Sequence, residues 1–217
     1  IVTVEDPVEA ALEGINQIQV NNKVDLTFAS ALRSILRQDP DIIMIGEIRD
    51  GETAQIAVQA SITGHLVVST LHTNSAAATI SRLEDMGIES YLLADSLVGI
   101  IAQRLVRRLC PNCKKEHYAT EEEKKVMNID ENGDILIYEA AGCEKCDNTG
   151  YTGRIGIYEI LTVTQNIKNL ISRRATADEV ARAAQTEGMH TLRQSATKLV
   201  LEGTTSYKEM LRTTFEN

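Results

Sequence analysis

The sequence predicts an α/β chain with a doubly wound, mainly parallel sheet, followed by a small metal-binding segment and a helical appendage. Three observations predict it. Short, wholly apolar runs alternate with amphipathic stretches at helical spacing, the pattern of strand–helix–strand units. Three of those runs end in an acid or a histidine. Two Cys-x-x-Cys pairs, Cys110/Cys113 and Cys143/Cys146, mark a change of character half-way along the chain.

The first run, Ile1–Val4, is β-rich. Pro7 has no N–H to give to a ladder, so this strand should end at Asp6, with Glu5 and Asp6 at its C-terminal end. Ile15–Val20 alternates, with Ile18 and Val20 on one face, as expected of a short edge strand. Phe28, Leu32, Ile35 and Leu36 recur at helical spacing and predict a helix from about Thr27 to Gln38.

The turn Gln38-Asp39-Pro40-Asp41 then feeds Ile42–Ile45, an apolar run that reads as a buried parallel strand. Gly46 leaves room for a ligand or a neighbouring backbone. Glu47 emerges at the carboxyl edge, where open α/β sheets bind ligands. Such an acid can sit near Mg²⁺ or an attacking water, or it can simply be solvated. Asp50 is placed to cap the next helix, Thr53–Thr63, which Gly64 ends. His65–Leu71 is a third buried strand, followed by His72. Ala76–Met86 reads as a helix stopped by Gly87. Tyr91–Leu109 reads as a longer helix, with Arg104, Arg107 and Arg108 suiting its negative C-terminal end. Alone, His72 reads as a capping or core histidine. Three strand ends bearing Glu5/Asp6, Glu47 and His72 on one edge point to an active site.

From Cys110 onward each Cys-x-x-Cys can clasp one ion, and two clasps make a tetrahedral thiolate site suited to zinc. Two disulfides or free core thiols are the alternatives. No export signal is read in these residues, which favours metal. Between the pairs, a charged helix is expected around Glu121–Val126 and a hairpin-like piece near Ile135–Tyr138. With four thiols present, His117 has no vacant position to fill. Thr149–Glu159 reads as a turn into a strand, followed by three or four short helices. Thr176/Glu179 and Ser206/Glu209 match capping boxes, and Leu192, Ala196, Leu199 and Val200 form a core stripe. The expected divisions are residues 1–109, 110–160 and 161–217.

Composition limits the functional classes. The 217 residues are 43% hydrophobic, enough for a real core, and carry a net charge of −9. A pI near 5.0 argues against duplex-DNA binding, which leaves a basic footprint. No apolar run approaches membrane-spanning length; the one near Leu97–Ala102 is broken by Gln103 and Arg104. The first residue is Ile, inside a strand, so the chain is expected to be cut from a longer one.

Four motifs, in order, resemble those of one family. IVTVEDPVE (1–9) resembles the Asp box of the type II secretion and type IV pilus assembly ATPases. LRQDPDIIMIGEIRD (36–50) resembles their Walker B signature and GHLVVSTLHTNSA (64–76) their His box. CPNC and CEKC, with GYTGRIGIYE, resemble their tetracysteine segment. The resemblance covers essentially the whole chain and is to the family's C-terminal ATPase domain. It implies a RecA-like core and ATP hydrolysis with ATP, Mg²⁺ and Zn²⁺. Glu47 would polarise the water or order the Mg²⁺ shell. Glu5 and Asp6 would act from the adjacent strand, and His72 would sense the γ-phosphate. Arg49 would pair with a nearby carboxylate, and Cys110, Cys113, Cys143 and Cys146 would hold the metal. It further implies a cytoplasmic hexamer, peripheral to the inner membrane and acting on a platform protein, with no direct nucleic-acid contact.

One departure stands out. The family's Walker A loop, G-x-x-x-x-G-K-[ST], is absent, and the sequence has no Gly-Lys dipeptide. The phosphate cradle is therefore missing, and so is the upstream domain that gives arginines to a neighbour's nucleotide. These residues alone are expected to be inactive. The competing readings are a RecA-like DNA-translocating ATPase, a non-catalytic zinc-stabilised binding module, and a Cys-x-x-Cys redox protein.

Overall fold

The computed structural model describes residues 1–129 and 133–215. The chain divides into two units, residues 1–100 with 162–184, and residues 101–161 with 185–217.

In the first unit the strands are β1 (Val2–Glu5), β2 (Asn16–Gln19), β3 (Ile42–Ile45) and β4 (Leu66–Ser69). They form one sheet in the order β2-β1-β3-β4, with every neighbouring pair parallel. All four carboxyl ends therefore lie along one edge. The register sets Val4 beside Ile45 and Ile45 beside Ser69. The alternation expected of Ile15–Val20 matches β2, which is an edge strand. Val4, Ile43 and Ile45 have no exposed surface, so the central strands form the floor of the core.

The intervening helices are α1 (Phe28–Ile35), α2 (Gly51–Ile62), α3 (Ala76–Asp85) and α4 (Ser90–Ser96). Their starts follow local chemistry. Thr27 and Ser30 form a reciprocal capping box for α1; Asp50 accepts from the Thr53 N–H for α2; Ser75 accepts from the Ala78 N–H for α3. Leu32 and Ile35 of α1 are buried. Gly87 takes a φ of +90°, a conformation that terminates α3 without Cβ strain.

The second unit corrects one expectation. The helix read over Tyr91–Leu109 stops at Ser96, and Gly99–Leu109 is a strand, β5. Exposure alternates along it from Gly99 to Val106, which is a period of two. Val98, Ile100, Ile101 and Val106 are β-branched and fit an extended backbone better than a helix. Arg104, Arg107 and Arg108 therefore lie on a strand and not in the last turns of a helix. Next come β6 (Lys115–Tyr118), α5 (Glu121–Met127), β7 (Leu136–Glu139) and β8 (Tyr151–Thr162). β8 pairs with β5. The hairpin-like piece near Ile135–Tyr138 is β7, but its antiparallel partner is β6 on the far side of α5, with Lys115 opposite Glu139.

The remaining helices are α6 (Gln165–Ser172), α7 (Ala177–Thr186), α8 (Leu192–Leu201) and α9 (Tyr207–Thr214). α6 packs on α4, where Arg174 donates to Ser90 and Glu89 at 3.2 and 3.0 Å. The Thr176/Glu179 box forms as expected. The Ser206/Glu209 box forms only by half: Ser206 accepts from the Glu209 N–H, but the Glu209 carboxylate is drawn to Arg107 and Arg212. Leu192, Ala196 and Val200 join Val106, Ile137, Ile157 and Met210 in the core of the second unit, as the stripe predicted. The helical region read as 161–217 is thus shared between the two units, and the divisions fall at residues 100, 161 and 184 rather than 109 and 160.

Candidate functional site

The carboxyl edge of the first unit's sheet gathers most of the residues singled out in the sequence. β3 ends at Ile45, and the Gly46 N–H donates to Val4 O at 2.7 Å. A Cβ on Gly46 would lie 3.2 Å from that oxygen and 3.4 Å from Glu5 Cα, so the close neighbour expected at Gly46 is the β1 backbone. Beyond it, the Ile48 N–H donates to Thr70 O at 3.0 Å, and Thr70 Oγ1 donates to Gly46 O at 2.6 Å. Ser69 Oγ donates to Ile45 O at 2.9 Å. The hydroxyls of Ser69, which ends β4, and of Thr70 just beyond it thus fix the turn that carries Glu47. Sequence reasoning missed them; their one signal was a Ser-Thr pair at the end of an apolar strand.

Glu47 is mostly buried, its side chain 14% exposed. One carboxylate oxygen accepts from Arg49 at 2.5 Å, and the other lies 3.7 Å from His72 Nε2. The hydrogen bond from Arg49 holds the Glu47 carboxyl below the usual range; burial opposes this, and His72 adds to it. These contacts favour the charged form of the Glu47 carboxylate. Arg49 is raised by Glu47 first, and Asp6 adds to this, which brings Asp6 into the same electrostatic neighbourhood. The His72 side chain is 91% exposed.

Glu5 stands at the adjacent strand end, but its carboxylate has other partners. It accepts from Thr3 Oγ1 at 2.6 Å and from Gln17 Nε2 at 2.9 Å, and these bonds lower its pKa in that order. Glu47, Arg49 and His72 form one group, which Asp6 reaches only as a charge felt by Arg49; Glu5 faces Thr3, two residues back on the same strand face, and β2.

The second unit holds the four cysteines. Their sulfurs all lie within 4.8 Å of one another. Cys110–Cys143 are 4.0 Å apart, and Cys113–Cys146 and Cys143–Cys146 are each 3.8 Å apart. Disulfides need about 2.05 Å, so these are free thiols. A zinc tetrahedron with Zn–S of about 2.3 Å has edges of about 3.8 Å, and the cluster fits that size. The surroundings favour thiolate at Cys110 and Cys146 and disfavour it at Cys113. Backbone N–H groups of Cys143 and Gly150 donate to Cys146 Sγ at 3.3 and 3.2 Å. The Asn112 N–H, despite burial, brings Cys110 down to about 6. Burial pushes Cys113 up to about 11. For Cys146, burial pushes upward, but the two N–H bonds together with the Cys143 and Cys113 thiols outweigh it. His117 Nε2 faces Glu123 at 3.3 Å and lies outside the sulfur group.

Comparison with known proteins identifies the family. The family described as "Type II/IV secretion system protein" matches residues 1–212. Type II secretion system protein E of Pseudomonas aeruginosa is 53% identical over 216 residues, and type II secretion system ATPase E of Vibrio cholerae is 49% identical over 217. Type IV pilus assembly ATPase PilB of Acinetobacter baylyi is 51% identical over 220. Each comparison covers all of this chain but only 43%, 43% and 38% of the relative. The chain thus spans less than half the length of these relatives. Among solved structures, the pilus retraction motor PilT with bound ADP aligns at a TM-score of 0.71 and 29% identity, over 100% of this chain and 52% of PilT. The ATPase DotB of Yersinia pseudotuberculosis aligns at 0.68 and 25%, over 98% of this chain and 48% of DotB. With nearly every residue matched, this chain belongs to the type II/IV secretion system protein family.

Proposed function

We propose that this chain supplies the acid- and histidine-bearing sheet edge of a motor ATPase that drives type II protein secretion or type IV pilus assembly. The observation that carries the reading is the Glu47–Arg49–His72 group at the carboxyl ends of two adjacent parallel strands. Phosphoryl transfer to water needs an aimed water, neutralised charge and a held γ-phosphate. Glu47, held ionised by Arg49, orients the water or the hydration shell of Mg²⁺. Arg49 keeps it in place, Asp6 adds negative charge felt by Arg49, exposed His72 meets the γ-phosphate, and Glu5 supports the edge from β1. Mg²⁺ supplies charge neutralisation when ATP is bound. The phosphate loop is contributed from outside these residues, which alone hydrolyse no ATP. The assembly is a hexamer at the cytoplasmic face of the inner membrane, acting on a platform protein. Among the described residues no helix is long and apolar enough to cross a membrane.

Zinc is the ion proposed for Cys110, Cys113, Cys143 and Cys146, on the basis of four thiols at tetrahedral spacing. It supplies a cross-link that holds the second unit. The relatives' names favour secretion and pilus assembly over a DNA-translocating motor. The test is Glu47→Gln in a protein carrying both this chain and a phosphate loop. ATP turnover should fall by about 10²–10⁴-fold while ATP binding persists. Unchanged turnover would remove Glu47 from the mechanism.

A further inference from the structure

The tetracysteine cluster hangs from two strands: β5 runs into Cys110, and β8 begins just after Cys146 and Gly150. A short segment between α8 and the first turn of α9, residues 203–209, holds both strands at once. Lys114, next to Cys113, donates to Gly203 O at 3.0 Å. The Leu109 N–H donates to Thr204 O at 2.8 Å. Thr205 Oγ1 donates to Arg107 O at 2.8 Å. Ser206 Oγ meets Tyr151 OH at 2.6 Å.

Glu209 is the centre of this segment. Its side chain is fully buried and its carboxylate receives five N–H bonds. Arg107 supplies its backbone N–H at 3.0 Å, Nε at 3.0 Å and Nη2 at 2.7 Å. Arg212 supplies Nε at 2.9 Å and Nη2 at 2.6 Å. The Arg107 guanidinium in turn stacks 4.0 Å over the Tyr151 ring, so one carboxylate fixes a residue of each strand. Gly203 makes the approach possible: its φ is +66°, and a Cβ there would lie 2.6 Å from the Tyr138 ring.

We infer that residues 203–209 form a clamp that sets the separation of the two Cys-x-x-Cys turns, with Glu209 as a positioning residue for the metal site. Each Cys-x-x-Cys turn is held by its own local bonds, such as Cys143 N–H to Cys146 Sγ. The distance between the turns is not local. It depends on where β5 ends and β8 starts; the two strands pair, Cys110 N–H donates to Gly150 O at 2.9 Å, and the clamp grips the same two ends from the side. Loss of the clamp leaves both turns intact but lets them drift, and the metal leaves faster. The inference rests on the reading of the four thiols as a metal site.

The experiment uses the full chain loaded with Co²⁺, whose thiolate absorption reports a four-sulfur site, followed by excess chelator. Glu209→Gln should speed the loss of that absorption about tenfold or more, as loss of a supporting shell does. Met210→Ala, in the same helix and in the core, should melt lower yet release metal near the wild-type rate. Tyr151→Phe, which deletes only the bond to Ser206, should speed release about two- to tenfold and keeps the test open if Glu209→Gln does not fold. Equal release from wild type and Tyr151→Phe, or from Glu209→Gln and Met210→Ala, overturns the clamp. A wild-type chain that takes up no Co²⁺ overturns the metal reading and the inference with it.

Discussion

Gly51 is the first residue of α2, directly after the turn that carries Glu47 and Arg49. A Cβ built there would lie 2.4 Å from Met86 O at the end of α3. Real Cβ atoms essentially never come within 3.0 Å of such an atom and ordinary contact begins at 3.4 Å, so one helix start must retreat from the other helix end by about 1 Å to reach it. Met86 O is backbone and cannot swing aside. Overpacking of this kind costs about 1–3 kcal/mol, and a deficit this large belongs at the top of that range. Alanine returns about 0.4–1 kcal/mol by restricting the unfolded chain. The net loss for Gly51→Ala is therefore about 2 kcal/mol, or roughly 4–8 °C for a chain of this size. Gly46 calibrates the argument, because its Cβ would lie 3.2 Å from Val4 O, short by only a few tenths of an ångström. There the two terms nearly cancel, and Gly46→Ala should melt within about 2 °C of wild type. Thermal unfolding followed by circular dichroism measures both. If Gly51→Ala melts at or above Gly46→Ala, the geometry of the α2–α3 approach does not set this energy.

Cys143→Ser should lose the metal and loosen the second unit while leaving the parallel sheet; full metal content by atomic absorption would refute a ligand role. Acid should act on the second unit through Glu209. Burial pushes its pKa up, but the bonds from Arg212 and Arg107 outweigh this and bring it to about 2, against an ordinary 4.5. A depressed folded value means stabilisation that is complete above about pH 4.5 and lost as pH falls toward 2. Wild type should therefore lose melting temperature steeply over that window, whereas Glu209→Gln, lower throughout, should show a flatter slope. Equal slopes would mean that this carboxylate does not carry the acid sensitivity.

Much of the first unit was legible because its signals are local. Ile42–Ile45 is apolar on both faces, and caps at Thr27, Asp50 and Ser75 start the helices where side-chain chemistry requires. The spacing of Cys110, Cys113, Cys143 and Cys146 was equally readable, since two Cys-x-x-Cys turns tolerate few arrangements. What failed was non-local. Leu97–Leu109 offers apolar residues that satisfy either period, and its partner β8 lies more than forty residues away. Ser206-x-x-Glu209 reads as a capping box until Arg107, distant in sequence, competes for the carboxylate. Glu5 and Glu47 look equivalent as acids at strand ends, but Thr3 and Gln17 decide where Glu5 turns, and that depends on β2 pairing with β1.

The path of the chain between its two units has a practical consequence for dissection. The polypeptide crosses the division after residues 100, 161 and 184. A protein engineer who cut at Leu109 to isolate the sheet would also discard Gln165–Ser172, and with it the helix packed on Ser90–Ser96 and the Arg174 contacts to Glu89 and Ser90. The second unit is in effect spliced into the first, so a usable excision would join residue 100 to residue 162 through a short linker and end near residue 184.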